Sequence, residues 1–358
     1  MAAKKTAKRT LKQFKAEHNP DADVVFLRKR VRELEAKADK ARHAEGEALE
    51  IIHSLHDAIS VAEPIEMEYR APKKPSSPCT HVLHLTDLHY GEVTDEDEVD
   101  GFGRYTPEIA EQRLDDLATR IIDKTKTARS GWHVPNLHIL GTADYVSGDI
   151  HRELQITNAF PSPVQAVKCG YLLGAMLAKF APHFENVTAD LLTLDNHGRM
   201  TTKPQCSQGG YNNWSYIVAE IAKQHVSAID NVDVNVHAKP TALVHVGPES
   251  YLMFHGHQIR GWSGKPYYGF DRRVAMEAVK RMGVQEKAFT KLVLGHFHHA
   301  MNGDNWIMGG SLNGTTAFDH SCGRYSKPHQ TSWMVHPRHG EFDWTRWYFD
   351  DPVSELSK

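Results

Sequence analysis

Asp87 and His89, two residues apart, close the run His81-Val-Leu-His-Leu-Thr-Asp-Leu-His89 and offer a carboxylate oxygen beside an imidazole nitrogen. That mixture suits manganese, iron or zinc. An Asp-x-His pair also arises by chance, so its weight depends on the donors further along the chain. Metal-type donors recur at Asp144, at Asn196, at His255, and at His296 and His298, each just past a stretch that reads as a strand. In layered α/β folds such strand ends converge on one edge, where ligands bind. Five clusters of this kind are hard to assemble by accident.

The elements that must position these donors follow from patterning. The apolar run from His81 is a buried strand, and Asp87 and His89 project to one side if strand geometry persists through them. Further strands are expected at Asn136–Leu140, Asp190–Leu194, Thr241–Val246, Tyr251–Phe254 and Lys291–Leu294. Between them, Thr106-Pro107-Glu108 opens a helix with a capping hydroxyl and a proline in its first turn, and Ala110, Leu114, Leu117 and Ile121 form its apolar stripe. Ser162-Pro163 opens another, with Val164, Val167, Tyr171 and Ala175 as its expected apolar face, and a third helix spans Trp214 to Ala222. Strands alternating with helices, then a strand-rich second half, predict a layered α/β domain.

Length and composition bound the rest. The 358 residues suffice for one large domain plus an appendage. A net charge of −3 gives no global bias toward nucleic acid, so any such attraction must be local. Cys79, Cys169, Cys206 and Cys322 form no Cys-x-x-Cys pair, which argues against a disulfide framework and a thiolate zinc site. With no apolar run of about eighteen residues and no signal-peptide core, a soluble cytoplasmic chain without membrane association is expected.

Residues 1–70 read as a basic arm and a long helix. Lys4, Lys5, Lys8, Arg9, Lys12 and Lys15 form the arm, either a solvated end or a contact for a phosphate backbone. From Val24 to Ile59 the apolar positions alternate steps of three and four, a heptad seam that could pair with a second copy, a partner protein or the chain's own core. Ala71-Pro-Lys-Lys-Pro-Ser-Ser-Pro78 is a linker, 79–350 the expected catalytic domain and 351–358 a tail.

In order, Asp-x-His, Asp144, Asn196-His197, His255-Gly and Gly295-His-x-His298 resemble the calcineurin-like metallophosphoesterase superfamily, over about Leu83 to His298. The resemblance implies a four-layered αββα fold and a centre of two divalent ions, manganese foremost, with iron, zinc or nickel as other candidates. It implies a first ion held by Asp87, His89, Asp144 and His298, a second by Asp144, Asn196, His255 and His296, and His197 as general acid. Arg199 is either a guanidinium fork for phosphate or a surface ion-pair residue.

Three positions depart from the pattern. Ala143 replaces the usual glycine before the bridging aspartate, and Gly148-Asp149 offers a competing register with Asp149 as the bridge. Asp195 replaces the glycine before the asparagine, where its side chain either crowds the turn or alters the metal preference. Gly198 stands where an acidic residue often follows the histidine.

The motifs do not name a substrate. The segments Gln258–Arg273 and His320–His329 mix cations with aromatics, as nucleic-acid channels do, or else pack aromatics beneath solvated charges. With the basic arm, the chain looks more similar to DNA-repair exonucleases of the SbcD type than to small-molecule phosphodiesterases. A metal-dependent DNA phosphodiesterase is therefore the leading expectation. A phosphomonoesterase acting on a phosphoprotein or nucleotide, and a binding scaffold of the same fold, are the alternatives.

Overall fold

The computed structural model describes residues 24–25, 28–40, 77–205, 207–259, 267–284 and 288–349. The chain divides into two compact units, Met1–Ala71 and Pro72–Lys358. In the first, residues 28–40 are helical and expose the seam residues Val31 and Leu34. The basic arm, the helix beyond residue 40, most of the linker, Cys206 and the tail lie outside the described residues. Among the described residues, no helix is long and apolar enough to cross a membrane.

The second unit is mixed α/β with two sheets. One has six strands in the order β11-β10-β1-β2-β3-β4: β1 (Pro78–Leu85), β2 (His133–Gly141), β3 (Asn186–Leu192), β4 (Val232–His237), β10 (His329–His336) and β11 (Gly340–Tyr348). Strands β1 to β4 are mutually parallel, while β10 runs antiparallel to β1. The other sheet has the order β5-β6-β7-β9-β8: β5 (Ala242–Val246), β6 (Glu249–Met253), β7 (Lys291–Leu294), β8 (Met301–Asn302) and β9 (Trp306–Met308).

Alternation along β1 explains the layering. Leu83 and Leu85 point to one face, where they meet α1 (Pro107–Ala128), α3 (Ser162–Phe180) and α4 (Trp214–His225) through Leu114, Leu117, Leu173, Leu177 and Val218. Val82 points the other way and joins Leu140, Leu192 and Trp333 against Tyr251, Met253, Val293 and Ile307 of the second sheet. Beyond that sheet, Phe270 of α5 (Tyr267–Gly283) packs on Leu252, Phe254, Leu292 and Leu294. The order is helix, sheet, sheet, helix, and a strand buried on both faces needs the near-continuous apolar run that β1 carries.

Helix α1 begins as its sequence dictates. Thr106 Oγ1 accepts a hydrogen bond from the Ile109 N–H, Pro107 opens the first turn, and Ala110, Leu114, Leu117 and Ile121 are all buried. Each large side chain of that stripe contributes about 1.5–3 kcal/mol by leaving water. Helix α3 differs from expectation: Val164, Val167 and Tyr171 are exposed, and the buried face is Ala166, Cys169, Gly170, Leu173 and Leu177. That helix carries two apolar stripes, and the one with small residues wins because α4 packs closely on it. A Cβ on Gly170 would lie 2.7 Å from Ile221 Cβ.

Among the described residues the unit also has two short α-helices, α2 (Leu154–Thr157) and α6 (Ala317–Ser321). Part of the basic-aromatic stretch Gln258–Arg273, from Tyr267 onward, forms the first turns of α5 rather than a loop, because Phe270 anchors it to the second sheet.

Candidate metal centre

β1 ends at Leu85, so strand geometry does not persist through the Asp-x-His pair. Asp87 and His89 instead adopt left-handed backbone conformations, φ 51° and 47°. Asp144, His296 and His298 do the same at 49°, 71° and 57°. Such conformations cost a non-glycine residue about 1–3 kcal/mol and persist only where the surroundings over-determine them. Here the strain turns five donors into one edge. Ala143, at φ 74°, carries a methyl group in the same strained region.

The seven expected donors meet. Asp87, His89 and His298 form one group of possible ligand atoms within 4.8 Å of one another; His89, Asp144 and His197 form a second, and Asp144, His255 and His296 a third. Asp144 Oδ2 lies 2.9 Å from His255 Nε2 and 3.9 Å from His89 Nε2, so one oxygen faces both donor sets. Asn196 Oδ1 lies 3.0 Å from the same His255 nitrogen, and His298 Nε2 lies 3.1 Å from His89 Nε2. Asp149 is exposed and belongs to none of these groups.

Hydrogen bonds fix the orientation of the rings. A carbonyl can only accept, so the 2.9 Å contact of His255 Nδ1 with the Thr142 carbonyl places a proton on Nδ1 and aims Nε2 at Asp144 and Asn196, both acceptors. A nitrogen facing two oxygen acceptors must either take a second proton or share a cation with them. His298 Nδ1 faces the Asp319 carboxylate at 3.6 Å, leaving Nε2 toward His89 and Asp87. Carboxylate or carbonyl partners of this kind orient metal-ligating imidazoles. Ring-to-ring and ring-to-oxygen distances of this order are what a shared cation relieves, and the residues fit a two-metal centre.

Charge is balanced locally. Burial would depress His255, but the Asp144 carboxylate outweighs it and raises the imidazole to about 10. Burial likewise opposes His298, and Asp319 with Asp87 raises it to about 9. Burial and the neighbouring His197 hold His89 well below the usual imidazole range; burial and His255 do the same to His296. Burial pushes Asp87 up, whereas at Asp144 the surrounding imidazoles overcome burial and the carboxyl is held well below its ordinary range.

Several contributors carry no sequence motif. The Asp87 carboxylate accepts the His296 N–H at 2.9 and 3.0 Å and the Thr86 hydroxyl at 2.6 Å. Gly295 makes this possible, because a Cβ there would stand 2.2 Å from Asp87 Oδ2. Asp195 does not crowd its turn. Its buried carboxylate accepts from the N–H groups of Asp144 (2.9 Å) and Gly198 (2.7 Å), from Asn213 Nδ2 (2.9 Å) and from the Ser215 hydroxyl. Burial and the nearby Asp144 raise its pKa. The sequence offered only a carboxylate three residues before a glycine, with Asn213-x-Ser215 well beyond it, and that signal is a weak one.

His197 lines the cleft beside the donors, its N–H on Asp144 Oδ1 at 3.1 Å. Its Nδ1 donates to the Ser147 carbonyl at 2.7 Å, which leaves Nε2 as the exchangeable nitrogen. Gly148, at φ 68°, brings this loop against the His197 backbone: a Cβ there would lie 1.9 Å from the His197 carbonyl oxygen. Arg199 donates to the carbonyls of Asn196 and Thr201, each at 3.2 Å, and is not among the residues lining the cleft. The cleft has a volume of about 1260 Å³, and its walls include Glu92, Arg152, Tyr267, Phe318, Arg324 and Tyr325.

No protein-family model and no curated protein matches the chain. Among solved structures, it is similar to a single mutant of Vps29 from Entamoeba histolytica, at 12% identity and a TM-score of 0.28 over 75% of this chain and 99% of that one. Wild-type Vps29 from the same organism, complexed with zinc, aligns at 12% and 0.29 over the same shares. Vacuolar protein sorting 29 from Cryptosporidium parvum aligns at 13% and 0.30, covering 76% and 99%. Likeness this loose carries no functional weight.

Proposed function

We propose that the chain is a dinuclear metal-dependent phosphoesterase of the calcineurin-like kind, acting on a phosphodiester. One observation supports the reading above the others: Asp144 Oδ2 lies 3.9 Å from His89 Nε2 and 2.9 Å from His255 Nε2, the position a carboxylate shared between two neighbouring cations would take. Asp87, His89, Asp144 and His298 would hold one ion and Asp144, Asn196, His255 and His296 the other. Such an ion pair, when bound, supplies Lewis acidity toward a phosphoryl oxygen and an attacking water acidified toward neutral pH.

The chain's own residues do the rest. The imidazoles keep the donor set from cancelling the cations' charge, which leaves the site attractive to an anionic phosphate. His197, its Nδ1 proton committed to the Ser147 carbonyl, carries the mobile proton on Nε2 and gives it to the leaving oxygen. Asp195 and Asp319 hold the donor loops in place. The cleft exceeds the roughly 300–1,000 Å³ of sites that enclose one small ligand, which favours an ester substituted on both sides of phosphorus.

The test is turnover by the manganese-loaded full chain of bis-p-nitrophenyl phosphate against p-nitrophenyl phosphate. The diester is expected to be the better substrate by kcat/KM. Brisk turnover of the monoester alone would favour a phosphomonoesterase, and turnover of neither a binding scaffold.

A further inference from the structure

His197 owes its orientation to one peptide unit. Its Nδ1 donates to the Ser147 carbonyl at 2.7 Å, and the N–H of the same peptide, on Gly148, donates to Gln165 Oε1 at 2.9 Å. A trans peptide is planar and its carbonyl and N–H point in opposite directions, so whatever fixes the one fixes the other. Gln165 lies near the start of α3, is buried, and is not among the residues lining the cleft.

The glutamine is itself locked. Its Nε2 donates to the Phe160 carbonyl at 2.8 Å, and a flipped amide would set oxygen against carbonyl and N–H against N–H. Gly91, in the loop that follows His89, makes room for it: a Cβ there would lie 2.6 Å from both Cγ and Cδ of Gln165. The Gly91 carbonyl accepts the Ala159 N–H at 2.9 Å, and the Gly148 carbonyl accepts Asn158 Nδ2 at 2.5 Å. The stretch from Asn158 to Gln165 thus grips the loop after β1 and the loop after β2 together.

A glutamine that only filled its pocket would need its own two hydrogen bonds and nothing more. Here the chain of donors and acceptors runs on from Gln165 Oε1 through the Ser147–Gly148 peptide to the imidazole, and bonds in such a chain polarise one another. The Nδ1 proton is kept on its carbonyl, which leaves Nε2 for exchange. Resting on the reading of His197 as proton donor to the leaving oxygen, we infer that Gln165 is a positioning residue for that donor, setting the tautomer and aim of the ring through the Ser147–Gly148 peptide.

The experiment compares the manganese-loaded full chain with its Gln165→Met, Gln165→Asn and Gln165→Glu variants on methyl p-nitrophenyl phosphate and methyl phenyl phosphate, two diesters that differ in the basicity of the leaving oxygen. A proton donor out of place matters most where that oxygen is basic. The methionine variant should therefore lose about 10- to 100-fold in kcat on the phenyl ester and less than about threefold on the nitrophenyl ester, at wild-type metal content. Asparagine, one methylene short of Gly148, should do the same and serves if the methionine variant does not fold. Glutamate keeps an acceptor for the Gly148 N–H and should stay within about threefold of the wild type on both esters.

Nitrogen-15 NMR of the imidazoles in the metal-free chain at mildly alkaline pH gives the second readout, the His197 signals being identified by their loss in His197→Gln. The wild type and the glutamate variant should carry the proton on Nδ1, the methionine and asparagine variants a mixture of both tautomers. An equal loss on the two esters, a glutamate variant as impaired as the methionine one, or a tautomer unmoved by either methionine or asparagine would overturn the inference and leave the phosphodiesterase reading standing. A wild type that turns over neither ester would sink that reading, and the tautomer comparison alone would then decide whether Gln165 sets the ring.

Discussion

The Asp195 carboxylate accepts the backbone N–H of Asp144 at 2.9 Å, so the loop after β3 holds the loop after β2 that supplies the shared donor. Three further donors, from Gly198, Asn213 and Ser215, end on the same carboxylate. Asp195→Ala leaves these buried groups without an acceptor, at about 1–3 kcal/mol for a buried unsatisfied group before relaxation and water recover part of it. A net loss of about 3 kcal/mol in urea unfolding is expected, with Asp195→Asn losing less. A loss below about 1 kcal/mol would mean that the carboxylate only fills space.

Asp319 stands behind His298 as a positioning residue, 3.6 Å from Nδ1. Asp319→Asn removes the charge but keeps the shape, and the expected result is a metal affinity about 10- to 100-fold weaker at one of two sites. Titration with manganese followed by calorimetry should then resolve one unchanged and one weakened step.

His197→Ala is expected to lower kcat on a diester about 10²- to 10⁴-fold while metal content stays as in the wild type, because the Nε2 proton, not the fold, is removed. Gly148→Ala reaches the same residue from behind. Its methyl would enter the His197 carbonyl, so a substitution off the donor set should reduce kcat at unchanged metal content. Normal turnover in both variants would remove His197 from the mechanism.

Acid should unfold the protein in two stages. His81, between the hydroxyls of Thr125 (2.7 Å) and Ser332 (3.0 Å), is held at about 3 by burial with Lys124 adding to it, and burial holds His84 at about 3 as well. The folded values lie below the ordinary 6.5, so the native state prefers neutral rings. Their contribution is complete above that pH and is lost as pH falls through it toward 3, at about 1.4 kcal/mol per pH unit for each ring. His81→Gln should make the slope of stability between pH 6 and 4 shallower by about one proton.

Asp190 acts lower. Burial opposes its ionisation, but hydrogen bonds with His138 (2.7 Å) and His237 (2.6 Å) overcome this and hold it at about 2. Its share, about 2 kcal/mol, is present above pH 4 and fades as pH falls through 2. A stability flat from pH 7 to 4 would contradict this account of the buried histidines.

Which residues meet was legible because strand ends are read from apolar runs, and β1, β2 and β7 carry such runs just ahead of their donors. How they meet was not legible. The left-handed turns at Asp87, His89 and Asp144 arise from tertiary hydrogen bonds, such as the Asp87 N–H on the Ala143 carbonyl at 3.1 Å, which no local pattern encodes. β4 went unread because Val232–His237 is a half-buried edge strand with only three valines in alternation. The exposed valines of α3 misled because periodicity locates a stripe but not the neighbour that covers it; Gly170 and Gly174 mark the covered side. Crowding by Asp195 does not occur because a side chain in place of glycine is accommodated by four donors that no local pattern reveals.

The central claim is that Asp144 is shared between two cations. Its most direct test is metal content by mass spectrometry after the full chain is loaded with manganese and dialysed. The wild type should retain about two ions per chain and Asp144→Ala, still folded by circular dichroism, close to none. A wild type that retains no metal, or an Asp144→Ala chain that retains as much as the wild type, would contradict it.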